Sequence, residues 1–209
     1  MNELFDTLFG QYSSYDTIDI ALEIIAVIFG FLSVWYSKNN KVWVYPTGMV
    51  STLIFVYLLL KWELLGDMMI NAYYFIMSVY GWYIWTRKVD DTHNTPITKT
   101  TKKEKITSIF IFLATLVFVY FVYTYFDKWT SWVAYVDTIT TAIFFVGMWL
   151  MAKRKIENWI YWIIGDLISV PLYFYKGFTF TSFQYLIFTL IAISGYLSWK
   201  KLLNKQTQT

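Results

Sequence analysis

Long apolar stretches, bounded by charged or turn-forming residues, dominate the pattern along the chain. Seven of them approach the length that an α-helix needs to cross a bilayer, about 20 residues. The predicted helices cover residues 19–36, 43–60, 66–85, 105–126, 135–152, 158–175 and 178–199. Of the 209 residues, 57% are hydrophobic and 15% are charged, which is too apolar for a soluble domain of this size. The pattern predicts an all-α integral membrane protein with seven transmembrane helices.

Basic residues are distributed unevenly between the two sides that these helices define. Fourteen of the 17 lysines and arginines fall on one side, and only Lys61, Lys128 and Lys176 fall on the other. Because Lys and Arg accumulate in cytoplasmic loops, the imbalance predicts an N-terminus outside and a C-terminus inside. With an even number of helices, loops with many basic residues would no longer alternate with loops that have few. The distribution of Lys and Arg therefore independently favours seven helices.

Weak self-similarity divides the chain into two halves. A shift of 117 residues places Gly48 on Gly165, and a shift of 114 places Trp85 on Trp199, so we expect a three-residue deletion near the second loop. With one helix between the halves, equivalent helices cross in the same direction, which predicts a 3+1+3 arrangement of parallel repeats. The expected regions are an extracytoplasmic segment (1–18), a first three-helix repeat (19–85), a cytoplasmic loop (86–104), a connecting helix (105–126), a second three-helix repeat (135–199) and a cytoplasmic tail (200–209).

Asp166 is the most informative single residue, because an ionisable group deep in hydrocarbon costs roughly 2.5 to 3.5 kcal/mol on insertion scales. At about 1.5 Å per residue it lies near the middle of the sixth predicted helix. Trp159, Trp162 and Ser169 share its helical face. We predict that this polar and aromatic face binds a ligand. The alternative is a carboxylate satisfied by groups of neighbouring helices.

Two amides form a second candidate group. Asn71 in the third helix and Gln184 in the seventh lie at nearly equivalent places in the two repeats, and Tyr74 shares the helical face of Asn71. We predict that Asn71, Gln184 and Tyr74 contribute to the same ligand site as Asp166. Ordinary hydrogen bonding between helices is the alternative for either amide.

Several absences exclude classes of function. The two arginines, Arg87 and Arg154, are both predicted to be cytoplasmic, so no basic clamp for a phosphate is expected inside the membrane. The chain has no cysteine, and its one histidine, His93, lies in the 86–104 loop without other metal-ligand residues. There is no phosphate-binding loop, no hydrolase signature and no lysine inside the seventh helix. We therefore expect no catalytic residues, no metal, no bound cofactor and no nucleic-acid partner.

Several short segments around the predicted site form a recognisable pattern, namely Glu157-Asn158-Trp159, Trp162, Gly165-Asp166, Ile168-Ser169, Lys176-Gly177, Gln184-Tyr185, Tyr80-Gly81-Trp82 and Trp85. In these segments the sequence resembles the PnuC family of bacterial vitamin transporters. The resemblance implies a SWEET-like 3+1+3 fold in the bacterial inner membrane, a homotrimer, and facilitated uptake of nicotinamide riboside that a cytoplasmic kinase then traps. It also implies aromatic pocket residues at Trp159 and Trp162.

Two departures from the family pattern leave the substrate open. Asp166 stands where some members have Asn, and Asn71 where Gln is frequent, so thiamine or another nucleoside-like vitamin is the alternative cargo. Our hypothesis is an alternating-access uniporter in which the cationic ring stacks on Trp159 or Trp162 beside Asp166. Pro46 and Pro171 are the candidate bending points for this movement. A membrane receptor or scaffold and an intramembrane enzyme are the other classes that the sequence leaves open.

Overall fold

The protein is described by a computed structural model over residues 16–87, 95–176 and 179–206. Its seven α-helices are α1 (Thr17–Lys38), α2 (Val44–Lys61), α3 (Leu65–Thr86), α4 (Lys102–Tyr125), α5 (Trp132–Ala152), α6 (Asn158–Tyr175) and α7 (Thr179–Gln206). The predicted all-α class and helix number are confirmed, with bounds within a few residues except at the end of α7. The predictions for most of the segment 1–18 and for His93 lie outside the described residues.

Local chemistry explains several helix ends. At the start of α4, Thr101 and Glu104 form a capping box, in which the Glu104 amide donates to Thr101 and the Thr101 amide donates to the Glu104 carboxylate at 2.9 Å. Four of the described loops contain a residue with positive φ, and two of these residues are Asn40 after α1 (φ 55°) and Arg154 after α5 (φ 57°). Such angles are uncommon outside glycine and end a helix sharply.

Five of the seven helices are long and apolar enough to cross a membrane, namely α1, α2, α4, α5 and the Thr181–Gln206 part of α7. The chain is therefore a multi-pass membrane protein. The other two helices, α3 and α6, have 22 and 18 residues and belong to the same bundle.

Six helices form a closed ring. Their principal contacts follow the cyclic order α1, α2, α3, α5, α6, α7 and back to α1, and α4 packs on the outside against α5. As a result α5 contacts α4 on one side and its ring neighbours α3 and α6 on the other, and 12 of its 21 residues are buried. The ring leaves a space at its centre, and side chains from all six helices reach it.

Equivalent helix ends show one constant offset between the two halves. A shift of 114 residues superposes the described bounds at Lys38 and Ala152, Val44 and Asn158, Lys61 and Tyr175, and Leu65 and Thr179. The expected three-residue deletion and the 117-residue shift for the first two helices do not agree with these bounds. The glycines matched by the 117-residue shift are not equivalent positions. Small residues recur at many helix contacts, so glycines match by chance in an apolar sequence.

The packing around the third helix of each half follows the same offset. In each half an aromatic residue of the second helix lies over a glycine of the third and meets a tryptophan one turn further on. The first aromatic cluster is Tyr45, Gly81 and Trp85, and the second is Trp159, Gly195 and Trp199. The aromatic rings are edge-on in both clusters, at 87° with centroids 5.1 Å and 5.6 Å apart.

Candidate functional site

A cavity of about 270 Å³ lies at the centre of the ring. Most of its lining residues fall into pairs that are 114 residues apart, so each half contributes the same set of helical positions. The pairs are Gly30 and Phe144, Val34 and Met148, Ser37 and Met151, Gly48 and Trp162, Thr52 and Asp166, Tyr74 and Phe188, and Ser78 and Ala192. The cavity therefore lies where the two halves of the chain face each other.

Asp166 lines this cavity from the middle of α6 and is only 4% exposed. No described residue forms a hydrogen bond or an ion pair with its carboxylate, in contrast to Asp19 and Asp137, which are paired with Lys61 and Lys176. A buried and unpaired carboxylate is expensive. Its position makes it available to a ligand that enters the cavity.

Trp159 and Trp162, which lie on the same helix, also line the cavity. Trp159 is 2% exposed, and its indole nitrogen has no hydrogen-bond partner among the described residues. Buried indole N–H groups usually have a partner, so this donor is an exception among the described residues. The ring of Trp159 fits against α7 because residue 195 is glycine.

Stacked aromatic rings form one side of the cavity. Phe144 of α5 lies between Trp162, at 5.5 Å and 30°, and Tyr185 of α7, at 6.2 Å and 13° between ring planes. Phe144 comes this close to α6 because Gly165 has no side chain. We call Phe144, Trp162 and Tyr185 the aromatic wall. A flat ring can stack against it.

Hydroxyl groups lie on the part of the cavity formed by the first three helices. Ser33, Ser51, Thr52 and Ser78 line it there. The Ser33 hydroxyl donates to the Val44 carbonyl at 2.8 Å, and Thr52 donates to the Gly48 carbonyl at 2.8 Å. We call these four residues the hydroxyl wall. None of the four, nor Phe144 or Tyr185, was identified as a site residue from the sequence.

The seven residues predicted from the sequence are not all together. Trp159, Trp162, Asp166 and Tyr74 line the cavity, whereas Ser169, Asn71 and Gln184 are not among its lining residues. Ser169 is 1% exposed within the bundle. The Asn71 amide donates to the Asp67 carbonyl of its own helix at 3.0 Å. Under the 114-residue offset the equivalent of Asn71 is Tyr185, which does line the cavity, and not Gln184.

The chemistry of the lining favours a flat molecule that is neutral or positively charged. No lysine, arginine or histidine is among the lining residues, and the only charged one is Asp166. Among the described residues no group of three or more His, Asp or Glu could hold a metal ion. Aromatic faces and a carboxylate together attract an organic cation.

A buried layer of aromatic side chains lies at the Lys38 and Lys153 end of the cavity. The indole of Trp85 donates to the Met151 carbonyl at 3.1 Å, and that of Trp199 donates to the Ser37 carbonyl at 3.0 Å. Each bond joins one half of the chain to the other, and the two are equivalent under the 114-residue offset. The rings of the two tryptophans also meet, with centroids 5.5 Å apart.

Arg154 reinforces this layer. Its guanidinium lies 4.5 Å from the Trp85 ring and donates to the Asn40 side chain at 2.8 Å and to the Thr95 carbonyl. Burial lowers the pKa of Arg154 from its usual value. These partners offset the cost of removing the guanidinium from water, and they tie the two halves together at this end.

The chain is similar to known transporters over most of its length. Residues 20–201 match the family model described as nicotinamide mononucleotide transporter. The nicotinamide riboside transporter PnuC of Escherichia coli (strain K12) is 23% identical, over 85% of this chain and 84% of its own length. The riboflavin/roseoflavin transporter RibM of Streptomyces davaonensis is 24% identical, over 88% of this chain and 87% of its own. These relatives are transporters and not enzymes.

A solved structure shares the fold. The crystal structure of the vitamin B3 transporter PnuC superposes on 97% of this chain and 88% of its own, with a TM-score of 0.65 and 20% sequence identity. At that level of identity the likeness concerns the backbone, and residue roles must be argued from this chain's own side chains.

Proposed function

Because the chain belongs to the nicotinamide mononucleotide transporter family, we propose that it takes up nicotinamide riboside. The observation that carries the proposal is Asp166, a buried carboxylate without a described partner in the central cavity. Nicotinamide riboside has a flat pyridinium ring with a fixed positive charge. That ring can stack on the aromatic wall, and its charge compensates Asp166.

The same cavity favours the riboside over the mononucleotide. A phosphate needs cationic or multiple N–H donors, and Asp166 would repel it. The lining includes no lysine or arginine. We therefore expect the phosphorylated form to be excluded, although the family description names it.

Riboflavin is the second candidate, supported by the likeness to RibM. Its three fused rings would stack on the aromatic wall, and its hydroxylated chain could reach the hydroxyl wall. Its ring system is neutral, however, and would leave the Asp166 carboxylate uncompensated. Thiamine, a cationic ring with a hydroxyl group, stays a prediction from the sequence and belongs in the same assay.

We place the chain in the membrane as two parallel repeats, α1–α3 and α5–α7, connected by α4 in a 3+1+3 arrangement. The constant 114-residue offset supports the repeats, and the single intervening helix requires equivalent helices to run in the same direction. The excess of basic residues at the Lys38 and Lys153 end supports an N-terminus outside and a C-terminus inside. All seven helices then cross the bacterial inner membrane.

Transport would proceed by alternating access, with the two repeats moving around the central cavity. Pro171 inside α6 supports bending of that helix, because it lacks the backbone N–H of a regular turn. Pro46 in the first turn of α2 is the other candidate bending point. The family resemblance further suggests a homotrimer and trapping of the cargo by a cytoplasmic kinase.

Uptake into proteoliposomes tests the function. Labelled nicotinamide riboside, nicotinamide mononucleotide, thiamine and riboflavin would be offered to the purified protein without any ion gradient. We expect the riboside to equilibrate across the membrane and the mononucleotide to stay outside. Protein-free liposomes are the control for passive leak, and liposomes containing the Asp166→Asn protein should take up the riboside more slowly. Riboside entry no faster than in protein-free liposomes would refute the proposal.

A further inference from the structure

We propose that the two repeats bind different parts of the ligand. The second repeat holds the aromatic ring on the aromatic wall, and the first repeat recognises the hydroxylated, non-aromatic part of the ligand on the hydroxyl wall. The inference rests on the proposed function and extends it to specificity. It names Ser51 and Ser78 as specificity-determining residues for a ribose-like group.

Equivalent positions in the two repeats hold side chains of different size. Phe144 and Trp162 of the aromatic wall are replaced in the first repeat by Gly30 and Gly48, and all four positions line the cavity. A symmetric cavity would present aromatic rings from both sides. Here five aromatic residues of the lining belong to the second repeat and one, Tyr74, belongs to the first. The first repeat therefore leaves more room for the part of the ligand that does not stack.

Charge is asymmetric in the same direction. The equivalent of Asp166 in the first repeat is Thr52, which is also in the lining. The positive charge of the ligand is therefore drawn toward the second repeat, where the aromatic wall lies. A ligand whose charge is on its ring has one preferred orientation, with its other end toward the first repeat.

The hydroxyl wall can both donate and accept hydrogen bonds. Ser33 and Thr52 use their protons on the Val44 and Gly48 carbonyls, so their oxygens remain acceptors toward the cavity. Ser51 and Ser78 have no hydrogen-bond partner among the described residues, although they are only 5% and 3% exposed. Their buried hydroxyls are therefore available to the hydroxyls of a sugar.

The two glycines keep this half of the cavity open. A Cβ atom at Gly48 would lie 3.0 Å from the Ser33 hydroxyl oxygen, and one at Gly30 would lie 3.2 Å from that of Ser51. Any larger side chain would therefore displace a hydroxyl or fill the space beside it. Glycine at both positions is what allows the hydroxyl wall to reach the ligand.

Two ligands with the same cationic ring separate the roles of the two walls. Nicotinamide riboside has the ribose, and 1-methylnicotinamide has a methyl group in its place. Their affinities would be measured by calorimetry on the full-length protein and on the Ser51→Ala, Ser78→Ala and doubly substituted variants. We expect riboside affinity to fall about fivefold for each hydroxyl removed, the effect of one ordinary hydrogen bond. Affinity for 1-methylnicotinamide should not change.

A matched control is Ser108→Ala, which removes a buried hydroxyl of α4 outside the ring. It should leave both affinities unchanged. Equal losses for the two ligands, or no loss of riboside affinity in the double variant, would overturn the assignment while the proposed function stands. If the unsubstituted protein bound 1-methylnicotinamide but not the riboside, the assignment and the proposed function would both fail.

Discussion

At the scale of single residues, Asp166 shows how a costly group indicates a function. Its carboxylate is buried in the middle of α6 and no described side chain compensates it, whereas the acids at the opposite end of the bundle from Lys38 form ion pairs with lysines. Burial of this charge costs the ligand-free protein free energy, which binding of a cation would recover. Under the proposed function, Asp166 would contribute to selectivity more than to folding.

The charge of Asp166 should matter only for a charged ligand. Asp166→Asn should weaken the binding of cationic nicotinamide riboside by about tenfold or more, since hydrogen bonds and contacts to charged groups are worth roughly 1.5–3 kcal/mol. Binding of the reduced, neutral dihydro form should change little. Calorimetry with both forms measures the difference. Equal weakening for the two forms would show that Asp166 has a structural role.

Gly195 shows a different constraint on a single residue, because the Trp159 ring packs directly against its backbone. An added Cβ atom would lie 2.6 Å from the Trp159 ring, which cannot retreat easily because it is buried. Gly195→Ala should destabilise the protein by about 1–3 kcal/mol, the usual cost of overpacking. The control is Gly66→Ala, whose Cβ would be 3.5 Å from Val122, an ordinary contact. Thermal unfolding in detergent should show a lower midpoint only for Gly195→Ala.

At the scale of elements, the segment before α4 shows how a loop can be fixed without regular structure of its own. We call residues 95–101 the strap. Its backbone pairs with the α5–α6 loop through Thr98, which accepts from Ile156 at 3.0 Å and donates to Arg154 at 3.2 Å. The Thr100 amide donates to the Glu157 carboxylate at 3.0 Å. The strap therefore holds the start of α4 against the second half of the chain.

Removal of the Glu157 carboxylate should loosen the strap. In Glu157→Ala the Thr100 amide loses its partner, so local opening should become about tenfold more frequent, given roughly 1.5–3 kcal/mol for a bond to a charged group. Limited trypsin digestion at Lys99 in membranes with an accessible cytoplasmic face measures this opening. Glu157→Gln keeps one acceptor oxygen and should give an intermediate rate. Identical rates for the three proteins would exclude this role.

At the scale of the whole molecule, two equivalent bonds join the halves at the end of the cavity near Lys38. They run from Trp85 to Met151 and from Trp199 to Ser37. Because the cavity lies beside this layer, the bonds must break if the repeats separate at that end. Alternating access therefore predicts that loss of either indole N–H favours opening at that end.

A chain without native cysteines makes that opening measurable. Ser37→Cys introduces one thiol in the cavity lining, and Trp85→Phe or Trp199→Phe then removes one indole N–H. Each substitution should speed labelling by a membrane-impermeant maleimide from the cytoplasmic side by about fivefold, the effect of one hydrogen bond. Trp129→Phe, which affects a bond to Thr124 at the other end, is the control. Labelling rates unchanged in both variants would contradict a role of these bonds in closing that end.

By itself the sequence determined those features that depend on residues close together in the chain. The length of each apolar stretch specified the helices, and the spacing of polar residues on α6 pointed to Asp166 and its tryptophans, because a helix has a fixed period and a buried charge has a large cost. Those properties depend on neighbours in the chain alone. They were sufficient for the helix number and for the residues Trp159, Trp162 and Asp166 of the cavity.

Only the tertiary structure decided which apolar faces look into the cavity. Phe144 on α5 and Ser51 on α2 are surrounded in sequence by residues suited equally to lipid and to a helix contact, so no contrast in polarity marks their direction. The rotation of each helix depends on packing against its neighbours, and one residue of error turns a side chain by about 100°. That is why Gln184 was predicted where Tyr185 lines the cavity, and why the hydroxyl wall could be found only after the helices were packed together.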